Sequence, residues 1–141
     1  MVIVLGFYKR KPGLTHEEFS RHWSTVHGPL IMSLPDIDKY IVRYVQHHLS
    51  PEDTGSTVTA SPESGEAEGY DGFSETWFVD EKARNRLFET DAVKETHSDE
   101  EKFLDMKATR WIVRDSQISF SEVADWNKVA GRLKGSHVIL T

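Results

Sequence analysis

Four short runs of β-branched and aromatic residues recur along the chain, and each run predicts a strand. They cover residues 2–8, 39–48, 73–79 and 109–114, and their lengths and compositions are typical of strands. The first run alternates little between apolar and polar residues, which indicates burial on both faces. In the last run, Trp111 and Val113 are two residues apart and therefore share one face of the strand.

A helix is predicted between the first two strands, after a proline-glycine turn. Thr15 and Glu18 have the spacing of a capping box, in which each side chain satisfies a free backbone amide at the helix start. Four apolar residues follow at helical spacing and predict one buried face: Phe19, Trp23, Val26 and Leu30. Because Pro29 has no amide proton, it is expected to end or kink the helix near Gly28.

Two helical segments are predicted between the third and fourth strands. Asp80 is placed to cap a helix that runs to about Glu89. Ser98 and Glu101 have the spacing of a second capping box, which predicts a short separate helix and leaves His97 in the loop before it. The element order is then β-α-β followed by β-α-β. This order predicts an α+β domain with the ferredoxin-like split β-α-β arrangement (βαββαβ).

Composition divides the chain into a domain, a loop and a C-terminal extension. The α+β domain is assigned to residues 1–115, and the polar stretch 50–69 inside it is expected to be a mobile surface loop. Residues 116–141 carry apolar residues at helical spacings, so we expect this extension to pack on the domain or on a partner. Helices on one side of the sheet would leave its other, aromatic-rich face open. Pairing with a second copy in a homodimer would bury that face.

Composition and charge argue against several classes of function. The chain contains no cysteine, which excludes thiolate chemistry, cysteine-ligated zinc and disulfides. Its formal net charge of −6 argues against nucleic acid or an anionic membrane surface as a partner. No run approaches the ~20 apolar residues of a membrane span, and the apolar start of the chain lacks the features of a secretion signal. We therefore expect a cytoplasmic protein.

The seven histidines are the main chemical signal in the sequence. Four of them lie on the first predicted helix and the second predicted strand, which are neighbours in the predicted fold: His22, His27, His47 and His48. His27 lies just before Gly28 and Pro29, at the expected helix C-terminus, where the helix dipole favours the imidazolium form and raises its pKa. It can therefore be a general acid or base at the mouth of a pocket, or a capping histidine that fixes the kink.

Neither pair of neighbouring histidines has the arrangement of a metal site. His22 and His27 flank the apolar helix face on either side and are five residues apart, so they are not expected to bind one ion from a single helical face. His47 and His48 are adjacent on a strand and point to opposite faces, and the sequence leaves open which of them faces the interior. No zinc-protease or cysteine–histidine motif is present. No metal is predicted.

Six aromatic residues of the predicted helix and strands can line a flat pocket: Tyr8, Trp23, Tyr40, Tyr44, Trp77 and Trp111. The alternative is that they pack the core and a dimer interface, and both interpretations hold if the pocket lies between helix and sheet. Arg43, Asp71 and Glu75 are charged residues in or beside predicted strands. A buried charge needs a partner, so any of them that faces inward is a further candidate site residue.

The segment from Trp23 to Leu30 contains a Trp-x-x-x-His-Gly-Pro motif. Five other segments belong with it: Leu5–Arg10, Leu14–Phe19, Tyr44–His48, Asp71–Phe78 and Asp99–Asp105. Together they resemble the EthD-domain family of dimeric α/β barrel proteins, and the resemblance covers about residues 2–115. Within that family, the chain is most similar to the small fungal proteins of polyketide clusters, which are described as decarboxylases or dehydratases of anthrone-type aromatic polyketides.

The resemblance implies a dimeric α/β barrel and a lyase that needs no cofactor. The implied reaction is decarboxylation of an aromatic polyketide β-keto acid, such as an anthrone- or atrochrysone-type carboxylic acid. Loss of CO₂ leaves an enolate, whose oxygen needs a hydrogen-bond donor and whose carbon needs a proton. His27 suits the donor role, and His47, His48 or Tyr44 suits the proton transfer. The residues expected to bind the substrate are Tyr8, His22, Trp23, Trp77 and Trp111.

Three other functions stay open at this point. A dehydratase or aldol-type cyclase acting on a related polyketide needs the same acid–base residues and differs in the shape of its pocket. The barrel superfamily also contains haem-dependent and cofactor-free oxygenases. The third is a dimeric binding module without catalytic activity that holds a hydrophobic metabolite.

Overall fold

The computed structural model of the protein describes residues 1–50 and 69–114. The strands are β1 (Val2–Tyr8), β2 (Ile41–His48), β3 (Gly72–Phe78) and β4 (Arg110–Arg114). The α-helices are α1 (His16–His22), α2 (Gly28–Met32), α3 (Glu81–Glu89) and α4 (Ala92–Phe103). A π-helical turn (Trp23–His27) joins α1 to α2, and a 3₁₀ turn (Ile37–Lys39) precedes β2. The predicted polar loop and C-terminal extension fall almost wholly outside the described residues.

The four strands form one antiparallel sheet in the order β2-β3-β1-β4. Strand β3 lies between β1 and β2, so the first β-α-β unit is split by a strand of the second unit. This is the α+β, ferredoxin-like arrangement, and the prediction of the fold is confirmed. No helix in the described part of the chain has the length and apolar character needed to cross a membrane.

The two faces of the sheet differ in what they contact. On one face, which we call the helix face, Val4 and Phe78 pack with Leu34 and Leu87 from the helical side. Alternation along the strands places another set on the opposite, outer face: Ile3, Leu5 and Phe7 of β1, Phe73, Glu75 and Trp77 of β3, and Arg43, Val45 and His47 of β2. The candidate site residues predicted from the sequence therefore lie on two different faces of one sheet.

The predicted helix starts are confirmed where a side chain caps the first turn. The amide of Glu18 donates to Thr15 Oγ1 at 3.1 Å, and the amide of Thr15 donates to Glu18 Oε2 at 2.8 Å. Asp80 caps α3 by accepting a hydrogen bond from the amide of Ala83 at 2.7 Å. These starts are set by a few neighbouring residues, which is why the sequence predicts them.

The predicted apolar face of the first helix is wrong at Val26. That side chain is 44 % exposed, whereas His27 is 4 % exposed. The cause is the π-helical turn, in which the amide of Gly28 donates to the carbonyl of Trp23, five residues back. The wider turn accommodates Pro29, which has no amide proton. Helical structure therefore continues past Pro29 to the end of α2, and the extra residue rotates His27 inward in place of Val26.

The second predicted capping box is also wrong, because α4 is a single helix through Ser98. The Ser98 hydroxyl donates to the carbonyl of Lys94 at 3.0 Å, one turn back. It therefore forms its hydrogen bond inside the helix and does not cap a helix start. His97 consequently lies on α4 and not in a loop. The continuous helix also turns Asp99 toward the first helical segment, where it is 2 % exposed.

Candidate active site

A cavity of about 90 Å³ lies between the helix face of the sheet and the helices. Most of its wall is apolar. Among the described lining residues, seven have side chains that can form hydrogen bonds: Tyr8, Tyr44, Thr76, Thr96, His97, Glu100 and Trp111. Phe88, His97 and Trp111 line the cavity and are also exposed to solvent. These three residues therefore mark its mouth.

Tyr8 provides one hydroxyl at the cavity. Its oxygen lies 2.8 Å from Ser74 Oγ in a buried hydrogen bond, and burial raises the pKa of Tyr8 well above its ordinary value. The ring lies directly over Gly6, where an added Cβ would come within 2.5 Å of Tyr8 Cζ. Its edge packs against Trp23 and Trp111, with ring centroids 5.0 and 6.1 Å away. Tyr8 is therefore a rigid hydroxyl that stays protonated at neutral pH.

Tyr44 provides a second hydroxyl, and its hydrogen-bond partners define how it can act. The oxygen accepts hydrogen bonds from Trp23 Nε1 at 3.2 Å and from Gln46 Nε2 at 3.0 Å. Both partners are donors, so the proton of Tyr44 is left to donate elsewhere, and no group within residues 1–50 and 69–114 accepts it. Burial raises the pKa of Tyr44. Tyr44 is thus a neutral donor at the cavity wall.

His27 and His22 converge on one buried carboxylate. Asp99 Oδ2 lies 2.9 Å from His27 Nδ1, and Asp99 Oδ1 lies 3.0 Å from His22 Nε2. The sequence predicted that the two histidines flank the apolar face of the helix on either side. In the structure the π-helical turn brings these residues, five apart, closer together, so that they share one partner. A carboxylate can only accept, so Nδ1 of His27 carries the shared proton and Nε2 keeps a lone pair.

The protonation of His27 differs from the prediction at the sequence level. Burial lowers the pKa of His27 below its ordinary value, and Asp99 offsets this only in part. The expected rise depended on a free helix C-terminus, which does not exist because the helical segment continues to the end of α2. At neutral pH His27 is therefore a neutral imidazole in a histidine–carboxylate pair, suited to accept a proton more than to donate one.

Glu100 follows Asp99 on α4 and lines the cavity on which Tyr8 and Tyr44 also lie. Burial, with a contribution from the charge of Asp99, raises the pKa of Glu100 to about 7. Sequence reasoning missed both acidic residues because it assigned them to the first turn of a separate helix. The available signal was their position between Thr96 and Phe103, in a row of residues that recur at helical spacing and are buried in the structure.

His47 and His48 point to opposite faces of the sheet, as predicted. His48 is on the helix face, where its Nδ1 lies 2.5 Å from Ser20 Oγ and its ring contacts Trp23 with centroids 4.6 Å apart. His47 is on the outer face, stacked on Phe73 at 4.1 Å and 2.9 Å from Glu75 Oε2. The structure therefore places His48 on the same side of the sheet as His27 and separates His47 from it.

The aromatic residues predicted to form a pocket are also divided. Tyr8, Tyr44 and Trp111 line the cavity, and Trp23 lies fully buried behind it, in contact with both tyrosines. Trp77 lies on the outer face, where the Arg43 guanidinium is 5.8 Å from its ring centroid. The prediction that Trp77 shares one pocket with the others is therefore wrong for this cavity.

Asp71 is one of the three charged residues that were candidate site residues if they faced inward. It is buried, and its partners indicate a structural role. It is 2 % exposed. Its oxygens accept a hydrogen bond from the amide of Arg10 at 2.8 Å and lie 2.9 Å from His16 Nδ1. These contacts tie the start of β3 to the end of β1 and to α1. Within residues 1–50 and 69–114, no group of three or more histidines and carboxylates could hold a metal ion.

Solved structures of several other proteins share this fold, among them the following three. An ethyl tert-butyl ether D (EthD) family protein from Bacillus halodurans is 19 % identical, with a TM-score of 0.57 over 83 % of this chain and 99 % of that one. A dimeric protein of unknown function with a ferredoxin-like fold from Bacteroides fragilis is 9 % identical, with a TM-score of 0.54 over 82 % of this chain and 95 % of that one. SnoaB from Streptomyces nogalater, described as a cofactor-independent oxygenase, is 9 % identical, with a TM-score of 0.54 over 86 % of this chain and 97 % of that one.

At such low identities these likenesses show the fold alone. A search of curated proteins found no match to the chain. The EthD domain matches residues 11–107, a span that holds the π-helical turn, the His27–Asp99 pair and most of the cavity wall. Because that span is more than half of the 141 residues, the chain belongs to the EthD domain family.

Proposed function

We propose that the protein is a cofactor-free lyase that decarboxylates an aromatic polyketide β-keto acid of the anthrone or atrochrysone type. The observation that carries the proposal is the apolar cavity with two neutral phenol hydroxyls and an unpaired carboxyl on its wall. Membership of the EthD family supports an α/β barrel enzyme, and one protein of the same fold is described as a cofactor-independent oxygenase. Support for the reaction itself comes from the chemistry of the cavity.

Decarboxylation of a β-keto acid needs few protein groups, and the cavity offers them. The electron pair of the broken C–C bond moves onto the ketone oxygen as an enolate, which a hydrogen-bond donor stabilises. Tyr44 is such a donor, since its oxygen accepts two hydrogen bonds and its proton is left to point at a ligand. The hydroxyl of Tyr8 lies on the wall of the same cavity and is held in place by its hydrogen bond with Ser74. The apolar wall would favour loss of the carboxylate by removing it from water.

The size of the cavity constrains how such a substrate would bind. A cavity of about 150 Å³ takes one benzene ring, and this one measures about 90 Å³. The reacting keto acid end would therefore enter, while the remaining rings lie at the mouth between Phe88, His97 and Trp111. Phe88 and His97 stack on one another with ring centroids 6.0 Å apart, so they offer aromatic rings on which a polycyclic substrate can stack.

We also propose that two copies pair through the outer face of the sheet. This face carries a patch of aromatic residues, with Phe7 and Phe73 at 6.4 Å and His47 stacked on Phe73. Ile112 of β4 shares the face and is 51 % exposed. A protein of the same fold is described as dimeric. A dimer through this face would place His47 and Trp77 at the subunit interface and leave the cavity of each subunit on the far side of its sheet.

A dehydratase or aldol-type cyclase on a related polyketide is the second candidate, and one observation favours it. His27 is neutral and paired with Asp99, which suits it to remove a proton from carbon, the first step of both reactions. Because His27 is not among the described residues that line the cavity, this candidate requires the substrate to reach past the cavity wall. Decarboxylation does not require a base. In this alternative the carboxyl group of the substrate is retained and water is released or a ring is closed.

The two candidates are separated by one labelling experiment. A ¹³C-carboxyl-labelled aromatic β-keto acid is incubated with the protein, and the label is followed into CO₂ or into a carboxyl-containing product. Release of labelled CO₂ faster than the uncatalysed rate supports the decarboxylase, and a dehydrated or cyclised acid with its label retained supports the alternative. Tyr44→Phe should slow decarboxylation by roughly 10²-fold. Tyr40→Phe is the matched control, because Tyr40 packs against the core and is not part of the cavity wall.

A further inference from the structure

Among the described residues that line the cavity, Glu100 is the one with a carboxyl group. It projects from α4 toward a wall that includes Tyr8, Tyr44 and Trp111. In the described part of the chain, no backbone or side-chain group forms a hydrogen bond or ion pair with this carboxyl. A largely buried carboxyl without a partner does not stabilise the fold, so its position calls for a functional explanation.

The groups that face Glu100 disfavour its ionised form. Asp99 and His97 flank it on α4, and Tyr8 and Tyr44 face it from the sheet. None of the lining residues within 1–50 and 69–114 is a lysine or an arginine. The negative charge of Asp99 and the loss of water both favour the neutral acid, which keeps a proton up to about pH 7. Glu100 is thus a carboxylic acid that holds a transferable proton inside an apolar cavity.

We propose that Glu100 is the general acid that delivers the proton to the substrate carbon, a role that rests on the proposed decarboxylase function. The C–C bond to the carboxylate breaks, CO₂ leaves, and the electron pair of that bond remains on the substrate as an enolate. The O–H bond of Glu100 then breaks as its proton passes to the α-carbon. The resulting carboxylate takes a proton from water before the next turnover, so that one proton is consumed for each CO₂ released.

The other acid–base groups are less suited to this step. Tyr8 and Tyr44 have raised pKa values and are therefore weak acids. His27 is not among the described lining residues, and its proton is on Nδ1, which is held by Asp99. His97 lies at the solvent-exposed mouth of the cavity. A group whose pKa lies near the working pH transfers protons most effectively, and Glu100 meets that condition at the cavity wall. Tyr44 would bind the enolate oxygen, while Glu100 would supply the proton to carbon.

The test compares Glu100→Gln with Glu101→Gln in the full-length protein. The first change keeps the shape of the side chain and removes the transferable proton, and the second removes a charge from the adjacent, exposed position on the same helix. Each protein is given the β-keto acid in D₂O, and CO₂ release, kcat and the stereochemistry of the deuterium on carbon are measured from pH 5 to 9. Circular dichroism and thermal unfolding establish that each variant is folded, and Glu100→Asp tests rescue by a shorter acid.

We expect kcat of Glu100→Gln to fall by roughly 10²-fold or more and deuterium to be added to both faces of the carbon. The decline of wild-type kcat above about pH 7 should disappear in this variant, and Glu100→Asp should recover part of the activity. Glu101→Gln should match the wild type. A folded Glu100→Gln protein with wild-type kcat, pH profile and stereochemistry would overturn the role of Glu100 alone. A wild-type protein that releases no CO₂ would instead overturn the proposed function.

Discussion

The ionisation of Glu100 should be measurable as a pH-dependent loss of stability, whatever the protein catalyses. The pKa of Glu100 rises from its ordinary value of 4.5 to about 7 in the folded protein. Below the lower value the carboxyl is protonated in both the folded and the unfolded chain, and its full contribution to stability is present. As the pH rises toward 7, only the unfolded chain releases the proton, so the free energy of unfolding decreases and then levels off.

The magnitude follows from that change in pKa. A difference of one in pKa corresponds to about 1.4 kcal/mol, so the loss is at most about 3 kcal/mol, and less in proportion to the solvent that reaches the partly exposed side chain. In Glu100→Gln the loss is absent. The variant should therefore gain stability relative to the wild type between pH 4.5 and about 7. Since each kcal/mol corresponds to roughly 2–4 °C in Tm for a domain of this size, the relative gain in Tm is at most on the order of 10 °C.

The assay is urea unfolding followed by fluorescence and circular dichroism at pH 4.5, 5.5, 6.5, 7.5 and 8.5, chosen to span the two pKa values of Glu100. Other groups titrate in the same range, so the quantity of interest is the difference between the wild type and Glu100→Gln at each pH. Glu101→Gln is the control, and its difference from the wild type should stay constant. A flat difference for Glu100→Gln as well would refute the reasoning, because it would show that Glu100 has an ordinary pKa and is not desolvated.

Three other expected outcomes test separate parts of the structure. Asp99→Asn removes the charge that raises the pKa of His27, so His27 should titrate at a lower pH by NMR, and an unchanged or higher value would contradict the pair. Gly72→Ala would place a Cβ within 2.5 Å of Trp23 Cζ3, and this overpacking should cost about 1–3 kcal/mol in urea unfolding; wild-type stability would contradict that contact. Ile112→Glu should convert the proposed dimer to monomers by light scattering at micromolar concentration, whereas an intact dimer would exclude the outer face as its interface.

Local sequence was sufficient where a few neighbouring residues set the conformation. The four strands, the Thr15 capping box and the Asp80 cap are all present where the pattern predicts them. Strand and cap propensities act over two to four residues, so no distant contact is needed to specify them. The opposite orientation of His47 and His48 follows in the same way from the pleat of a strand.

Which of these two histidines faces the helices was decided only by tertiary structure. The pairing of β2 with β3 shifts register between Ile41 and Arg43, so Val42 is an extra residue and is 58 % exposed. This bulge reverses the alternation, and the residues beyond it exchange faces. Strict alternation counted from the buried Ile41 would have predicted that His48 lies on the outer face. The sequence alone therefore left open which histidine faces the helices, and the pairing of β2 with β3 determined it.

The site itself depends on two further features that sequence could not provide. The π-helical turn before Pro29 turns His27 inward, and the uninterrupted α4 brings Asp99 to it. Both features are stabilised by packing between segments about 70 residues apart, which no local pattern encodes. The sequence by itself determined the elements, the family and His27 as the residue to examine. The tertiary structure decided that His27 is a neutral partner of Asp99 and that Glu100 is the acid at the cavity, because burial and neighbouring charge set protonation.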